Sequence, residues 1–170
     1  MNVKVEGLDG VIAALKDYRD SLPAKKKALL WRLGELGVNT ANIKFSTAQY
    51  AGTNDATVSA RWVDDNKLEV VGSGHSVLFI EFGSGVFYDT SYPNRPPGME
   101  IGEYGQGRGK NSYWFYKERE GHGRGTLGVP SEKYPGMVYT HGNPAARAMY
   151  QAAVDMRAKI AEIAKEVYES

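Results

Sequence analysis

The stretch VSARWVDDNKLEVVGSG, Val58 to Gly74, decides the fold class. Before it, apolar residues recur at helical spacing, and here the period drops to two. Val58, Ala60 and Trp62 alternate with Ser59, Arg61 and Val63; Asp64, Asp65 and Asn66 supply a turn; Leu68, Val70 and Val71 return before Gly72 and Gly74 close the unit. That pattern predicts a β-hairpin set between helical segments. The expected class is therefore α+β: a small antiparallel or mixed sheet packed against N-terminal helices and a long C-terminal helix, with a long Gly/Tyr-rich insertion.

Upstream, Leu8, Val11, Leu15, Tyr18 and Leu22 draw one apolar stripe at 3-4-3-4 spacing, which predicts a helix from about Leu8 to Asp20 with Asp9 at its positive end. A second helix is expected from Ser21, with Pro23 in its first turn, to about Phe45. Leu29, Leu33, Leu36 and Ile43 would face inward, and Lys25, Lys26 and Lys27 would form a solvated face. Gly34 and Gly37 each cost about 1 kcal/mol relative to alanine inside a helix, so they predict either a close-packed neighbour or a kink. At the other end, Asn143 reads as an N-cap and Pro144 as the first helical residue. Ala145, Met149, Ala152, Met156, Ile160, Ile163 and Val167 then recur at helical spacing, opposite Arg147, Gln151, Asp155, Lys159, Glu162 and Glu166. This predicts a helix from Pro144 to about Tyr168, roughly 37 Å long.

A chain of 170 residues is read as one domain, 1–170, able to bury roughly 70% of its unfolded surface without a staple. It contains no cysteine, which excludes thiolate catalysis, zinc–thiolate sites and disulfides, and suits a reducing compartment such as the bacterial cytoplasm. A formal charge of +1 argues against a domain that coats nucleic-acid phosphates. The N-terminus lacks the apolar core of a signal peptide and nowhere do about 18 apolar residues run together, so neither export nor membrane insertion is expected. Residues 83–142 are rich in Gly, Tyr and Pro around one strand-like run, SYWFYKE, and read as an extended arm or insertion within the domain, either a functional arm or a set of short strands that order against a partner.

The chain announces no reaction. GEYGQGRGKN resembles a phosphate loop but fails it, with Tyr104 in place of the first glycine and Asn111 in place of the magnesium-binding hydroxyl. Gly105, Gly107 and Gly109 lack the spacing and preceding strand of a dinucleotide site. His75, His122 and His141 make no metal-ligand spacing, and GSGHS sets serines beside a histidine without the nucleophile-elbow pattern. No catalytic residue, metal site or cofactor is expected. Arg108, Lys110, Arg119 and Arg124 interleave with Tyr104, Tyr113, Trp114 and Tyr116, a mixture suited to packing against a subunit or, alternatively, to stacking single-stranded nucleic acid. Tyr104, Arg108, Tyr113, Trp114 and Tyr116 are thus the candidate assembly arm.

The segment VLFIEFGSG, Val77 to Gly85, places one carboxylate, Glu81, in an apolar run that stops at two glycines. A buried carboxylate must be satisfied, so Glu81 is expected to accept backbone N–H bonds at a turn or to pair with an arginine such as Arg61 or Arg147. Phe79, Ile80, Glu81, Phe82, Gly83 and Gly85 match the signature hydrophobic-V/I-E-F-G-T/S-G. Gly7-Leu8-Asp9 opens the first helix, and Pro144, Ala145, Arg147, Met149 and Ala152 in NPAARAMYQAA fit a Pro/Ala-x-Arg-x-Met-x-x-A helix start. In these elements and their order the chain resembles the tail-completion, or neck, proteins of long-tailed bacteriophages. Ala148 stands where that family often has phenylalanine, and the arm is longer than in compact members.

The resemblance implies a structural virion protein without catalysis. It would assemble as a homo-oligomeric ring at the head–tail junction, in the host cytoplasm, and end in the neck of the virion. Its partners would be further copies of itself, tail-tube or tail-terminator proteins and head-closure proteins. DNA would pass through the lumen without specific binding, and no membrane would be involved. The competing reading is a nucleic-acid-binding module using the Gly/Arg/aromatic arm, with a hydrolase ranked below it.

Overall fold

A computed structural model describes residues 8–50, 52–105, 107–117 and 128–169, with the side chain of Arg108 left out. The chain is α+β, as expected. Helix α1 spans Leu8–Thr47, followed by strands β1 (Thr57–Asp64) and β2 (Lys67–Ser73) and the short helix α2 (Val77–Phe82). Strands β3 (Trp114–Lys117), β4 (Gly128–Pro130) and β5 (Met137–Thr140) precede the C-terminal helix α3 (Ala148–Glu169).

The hairpin forms where its alternation placed it. β1 and β2 pair antiparallel with Val58 opposite Gly72, Ala60 opposite Val70 and Trp62 opposite Leu68, and the register slips between Trp62 and Asp64 at the turn. Helix α1 lies across this hairpin. Gly34 and Gly37 are buried because a neighbour takes the place of their side chains: a Cβ on Gly34 would run into the Leu68 methyl, and one on Gly37 would come 2.7 Å from Met156 Sδ. The close approach expected of these glycines is therefore present.

The two N-terminal helices of the sequence reading are one 40-residue helix. Ser21, where the second helix was expected to start, donates its hydroxyl to the Tyr18 carbonyl at 2.7 Å, so it satisfies the preceding turn without ending it. The helix continues through Pro23 on a surface where water can serve the displaced carbonyl.

Helices α1 and α3 run antiparallel. Thr40 meets Asp155 at 3.2 Å, Arg32 pairs with Glu166, and the Lys25 ammonium donates to the Tyr168 carbonyl at 3.2 Å. Since α3 ends at Glu169, the first turns of α1 extend beyond their partner, and every residue from Leu8 to Asp20 is exposed. Two expected core residues are also exposed, Ile43 at 64% and Ile160 at 46%. On α1 the buried line is Gly34, Gly37, Ala41 and Phe45, a small-residue seam with one aromatic, and Ile43 lies off it. The main core joins Ala41, Phe45, Val58, Val77, Ile80, Ala148 and Ala152.

Helix α3 begins at Ala148, four residues after the expected start. Asn143 to Arg147 lack regular secondary structure and are held against α2: Ala146 N–H donates to Ile80 O at 2.7 Å and Arg147 N–H to Glu81 O at 3.2 Å. Those bonds compete successfully with the first helical turn. The 83–142 insertion contains an antiparallel three-stranded sheet in the order β3-β5-β4, with Phe115 and Val129 both opposite Tyr139. Arg119, His122 and Arg124 of the sequence reading lie outside the described residues.

Candidate functional site

Two carboxylates organise the centre of the molecule, one at the entry to α2 and one at the start of α3. Asp55, in the loop before β1, accepts the N–H groups of His75 and Ser76 at 2.9 and 2.8 Å and the Ser76 hydroxyl at 2.7 Å. Both residues precede Val77, the first residue of α2, so Asp55 fixes the turn that leads into that helix. The Ser76 hydroxyl, followed by the two backbone donors, holds the Asp55 carboxyl well below the usual carboxylate range. His75 Nδ1 lies 2.9 Å from the same carboxylate. Serine and imidazole thus both bind Asp55, and Ser76 itself is buried, which is not the serine-to-histidine order that nucleophile activation requires.

The short helix that Asp55 starts presents Glu81 to α3. Glu81 is 3% exposed, and its oxygens accept Met149 N–H at 2.8 Å, Tyr150 N–H at 3.0 Å and the Tyr92 hydroxyl. Backbone N–H acceptance, one of the two expected roles, is the one realised, and the carboxylate sits where the α3 macrodipole favours negative charge. Neither proposed arginine pairs with it: Arg61 meets Glu69 across the hairpin, and Arg147 meets Asp89. Arg147 has φ of 50°, an uncommon backbone for a non-glycine residue, and turns the chain into α3. Its guanidinium also donates to Ser91 Oγ at 2.6 Å. The Arg147 contact lowers the Asp89 carboxyl from its ordinary value, and burial followed by the Glu81 bond pushes the Tyr92 hydroxyl far up.

The signature glycines have the role expected of them. Gly83 has φ of 77° and Gly85 of 60°, and a Cβ on Gly83 would lie 2.5 Å from Phe87 O and 2.9 Å from Ala145 N. The crossing is closed by Ser84 N–H to Asn143 O at 2.9 Å, Ser84 Oγ to Asn143 Oδ1 at 2.6 Å and Asn143 Nδ2 to Phe79 O at 2.7 Å. Asn143 is therefore a buried tie between the two signature segments, where the sequence suggested a helix cap. Ile80 and Phe82 are buried; Pro144 and Ala145 are half-buried beside them, and Met149 packs at the core edge.

The candidate arm divides. Tyr104 folds back, its ring edge-on to Phe79 at 5.2 Å and its hydroxyl on Gly83 O at 2.7 Å, and burial raises the pKa of that hydroxyl. Trp114 and Tyr116 lie on the inner side of β3, lining a groove of about 850 Å³ with Tyr50, Asp55, Phe79 and Thr140. Tyr113 is exposed on the opposite side. The sequence reading did not find Asp55, Asp89 or Tyr92. Asp55 lies in the TND turn before the hairpin, and Tyr92 reaches Glu81 from a YPNRPPG run; neither stretch carries a local sign of those contacts.

Among the described residues no group of three His, Cys, Asp or Glu side chains is placed to hold a metal ion, and no helix is long and apolar enough to cross a membrane. No family model matches the chain, and no curated protein or solved structure matches it either.

Proposed function

We propose that this chain is a tail-completion, or neck, component of a long-tailed bacteriophage or prophage, a structural protein that assembles as a ring where tail joins head. One observation carries the reading. The two segments on which the resemblance rests, Phe79–Gly85 and Pro144–Met149, are 59 residues apart between Ser84 and Asn143, yet they form one hydrogen-bonded unit around Glu81. A signature whose residues are spent on each other, with the carboxylate buried, supports an architectural role over a reactive one. In this reading the partners are further copies of the chain, the tail-tube or tail-terminator protein and the head-closure protein, and DNA passes through the lumen without being gripped. Assembly takes place in the host cytoplasm, and the protein resides in the virion neck.

The test is a deletion of this reading frame in its phage or prophage, examined by negative-stain electron microscopy. Filled heads and complete tails should accumulate unjoined, and purified protein added to the lysate should restore joined particles with a ring at the tail end. Joined particles without the protein would overturn the reading. So would salt-sensitive, sequence-independent DNA binding by the purified protein, which belongs to the nucleic-acid alternative.

A further inference from the structure

Helix α1 passes from a stretch with no neighbour to a stretch with two, and the change falls at one turn. Every residue from Leu8 to Asp20 is exposed, Ser21 and Leu22 are the first to be half-buried, and Gly34, Gly37, Ala41 and Phe45 lie in the core. The rest of the molecule first takes hold at Lys25, whose ammonium donates to the Tyr168 carbonyl near the end of α3 at 3.2 Å. Outside the helix's own backbone ladder and among the described residues, the polar and ring contacts of residues 8–20 reach no further than that point. Arg19 meets Asp20, Tyr18 O accepts from Ser21, and the Lys25 ammonium lies 5.5 Å from the Tyr18 ring centroid.

Pro23 sits at this border. It has no N–H, so the Arg19 carbonyl lacks the donor that an unbroken helix supplies four residues on, and the pyrrolidine ring crowds that same carbonyl. The Ser21 hydroxyl donates to the Tyr18 carbonyl at 2.7 Å, a side-chain bond of the kind that bends helices. Two consecutive carbonyls, of Tyr18 and Arg19, are thus disturbed on the turn where cover by the rest of the molecule ends. The other weak points of α1 are braced. A Cβ on Gly34 would strike Leu68, and one on Gly37 would strike Met156 and press on Val70, so neighbours hold the helix there. Pro23, by contrast, is exposed.

We infer that α1 carries a hinge at residues 18–23, about which residues 8–17 swing as a helix against the rest of the molecule. Sharp helix bends occur almost always at features such as a proline, and hinges are commonly a few residues at the end of a packed element. Nothing in the core opposes the motion, since residues 8–17 contribute no buried side chain to it. The contact that spans the hinge is the cation–π pair of Lys25 and Tyr18, which is weak where solvent reaches it. The leverage is large. Leu8 lies about 16 Å from Arg19 along the axis, so a bend of about 20° displaces it by about 6 Å. Leu8, Val11 and Leu15, 56%, 56% and 63% exposed, thereby change direction together without disturbing the junction around Glu81. The hinge belongs to the single subunit and does not depend on the ring proposed above.

Residual dipolar couplings of the backbone N–H groups, measured on the weakly aligned full chain, test the hinge. In the wild type, couplings of residues 9–17 should fit a regular helix with an alignment of their own, smaller in magnitude than the one shared by residues 28–45. Pro23→Ala restores the missing donor and should bring both stretches onto one alignment. Helical circular dichroism and a Tm no lower than those of the wild type show that this variant folds. One common alignment in the wild type would overturn the hinge. Two alignments that persist in Pro23→Ala would also overturn it, because the bend would then lie elsewhere. Couplings at residues 9–17 that fit no helix would do the same, since that end would be unwinding instead of swinging.

Discussion

The Glu81 side chain is 3% exposed, and three donors meet its oxygens in place of water. Replacing it with alanine leaves the Met149 and Tyr150 N–H groups unsatisfied and opens a void. Glu81→Ala should therefore cost about 2–4 kcal/mol, read as a fall in Tm of about 10 °C. Tyr92→Phe removes one charge-assisted bond and should cost about 1.5–3 kcal/mol. Because the two side chains touch, the double variant should lose less than the sum of the single losses, and strict additivity in urea denaturation would refute the direct bond. Asp55 and Asp89 supply a pH dependence. Both carboxyls bind protons more weakly in the folded chain than in the unfolded chain. The unfolded state therefore takes up more protons in acid, and the stability they contribute is full above the ordinary carboxylate value of about 3.9 and is lost as the pH falls through the lowered folded values. Asp89 is the less screened of the two, its side chain 12% exposed against 37% for Asp55. Urea midpoints measured from pH 7 to pH 3 should fall with acid, and Asp89→Asn should flatten that fall; an unchanged slope would exclude the Asp89–Arg147 pair as its source.

The elements differ in how far they were legible, and the difference follows the range of the interactions that define them. The hairpin was readable because alternation, turn and closing glycines all lie within 17 consecutive residues, Val58 to Gly74. The break at Ser21 and Pro23 was not, because a serine that caps a helix and one that bonds the preceding turn look alike in sequence. Likewise Asn143-Pro144 has the residue types of a helix start. The free donors of α3 are instead met by a carboxylate 68 residues upstream, at Glu81, and that displaces the start to Ala148. The role of Glu81 was legible in kind, as a buried acceptor of backbone N–H groups, while its partners were not. Of the strands of the insertion, β3 falls in the strand-like run SYWFYKE, whereas β4 and β5 are three and four residues long and pair across sequence gaps, so no period betrays them. Where α2 crosses to the loop before α3, Gly83 is the sharpest probe. Its φ of 77° and ψ of −178° lie in a region reserved for glycine, and an added Cβ would meet three backbone atoms, Phe87 O, Ala145 N and Asn143 O, that cannot move aside. Gly83→Ala should cost at least about 1–3 kcal/mol in chemical denaturation. Gly10→Ala, at a helical position with nothing within 4 Å, should instead stabilise by a few tenths to about 1 kcal/mol. The opposite order would show that the crossing is looser than drawn.

At the scale of the whole molecule, stability is distributed unevenly along a single helix. From Gly34 to Phe45, α1 is clamped between the hairpin and α3, whereas from Leu8 to Asp20 it touches neither. A free helix of about 13 residues is marginal in water, because nucleation is costly and propagation adds little per residue. This end persists only as an extension of the clamped half, and it frays from its N-terminus. Hydrogen exchange on the isolated subunit should accordingly show amides of residues 8–20 exchanging at least about a hundredfold faster than those of 34–45, which report opening of the core. Equal protection of both halves of α1 in the free subunit would mean that residues 8–20 are already covered within one chain.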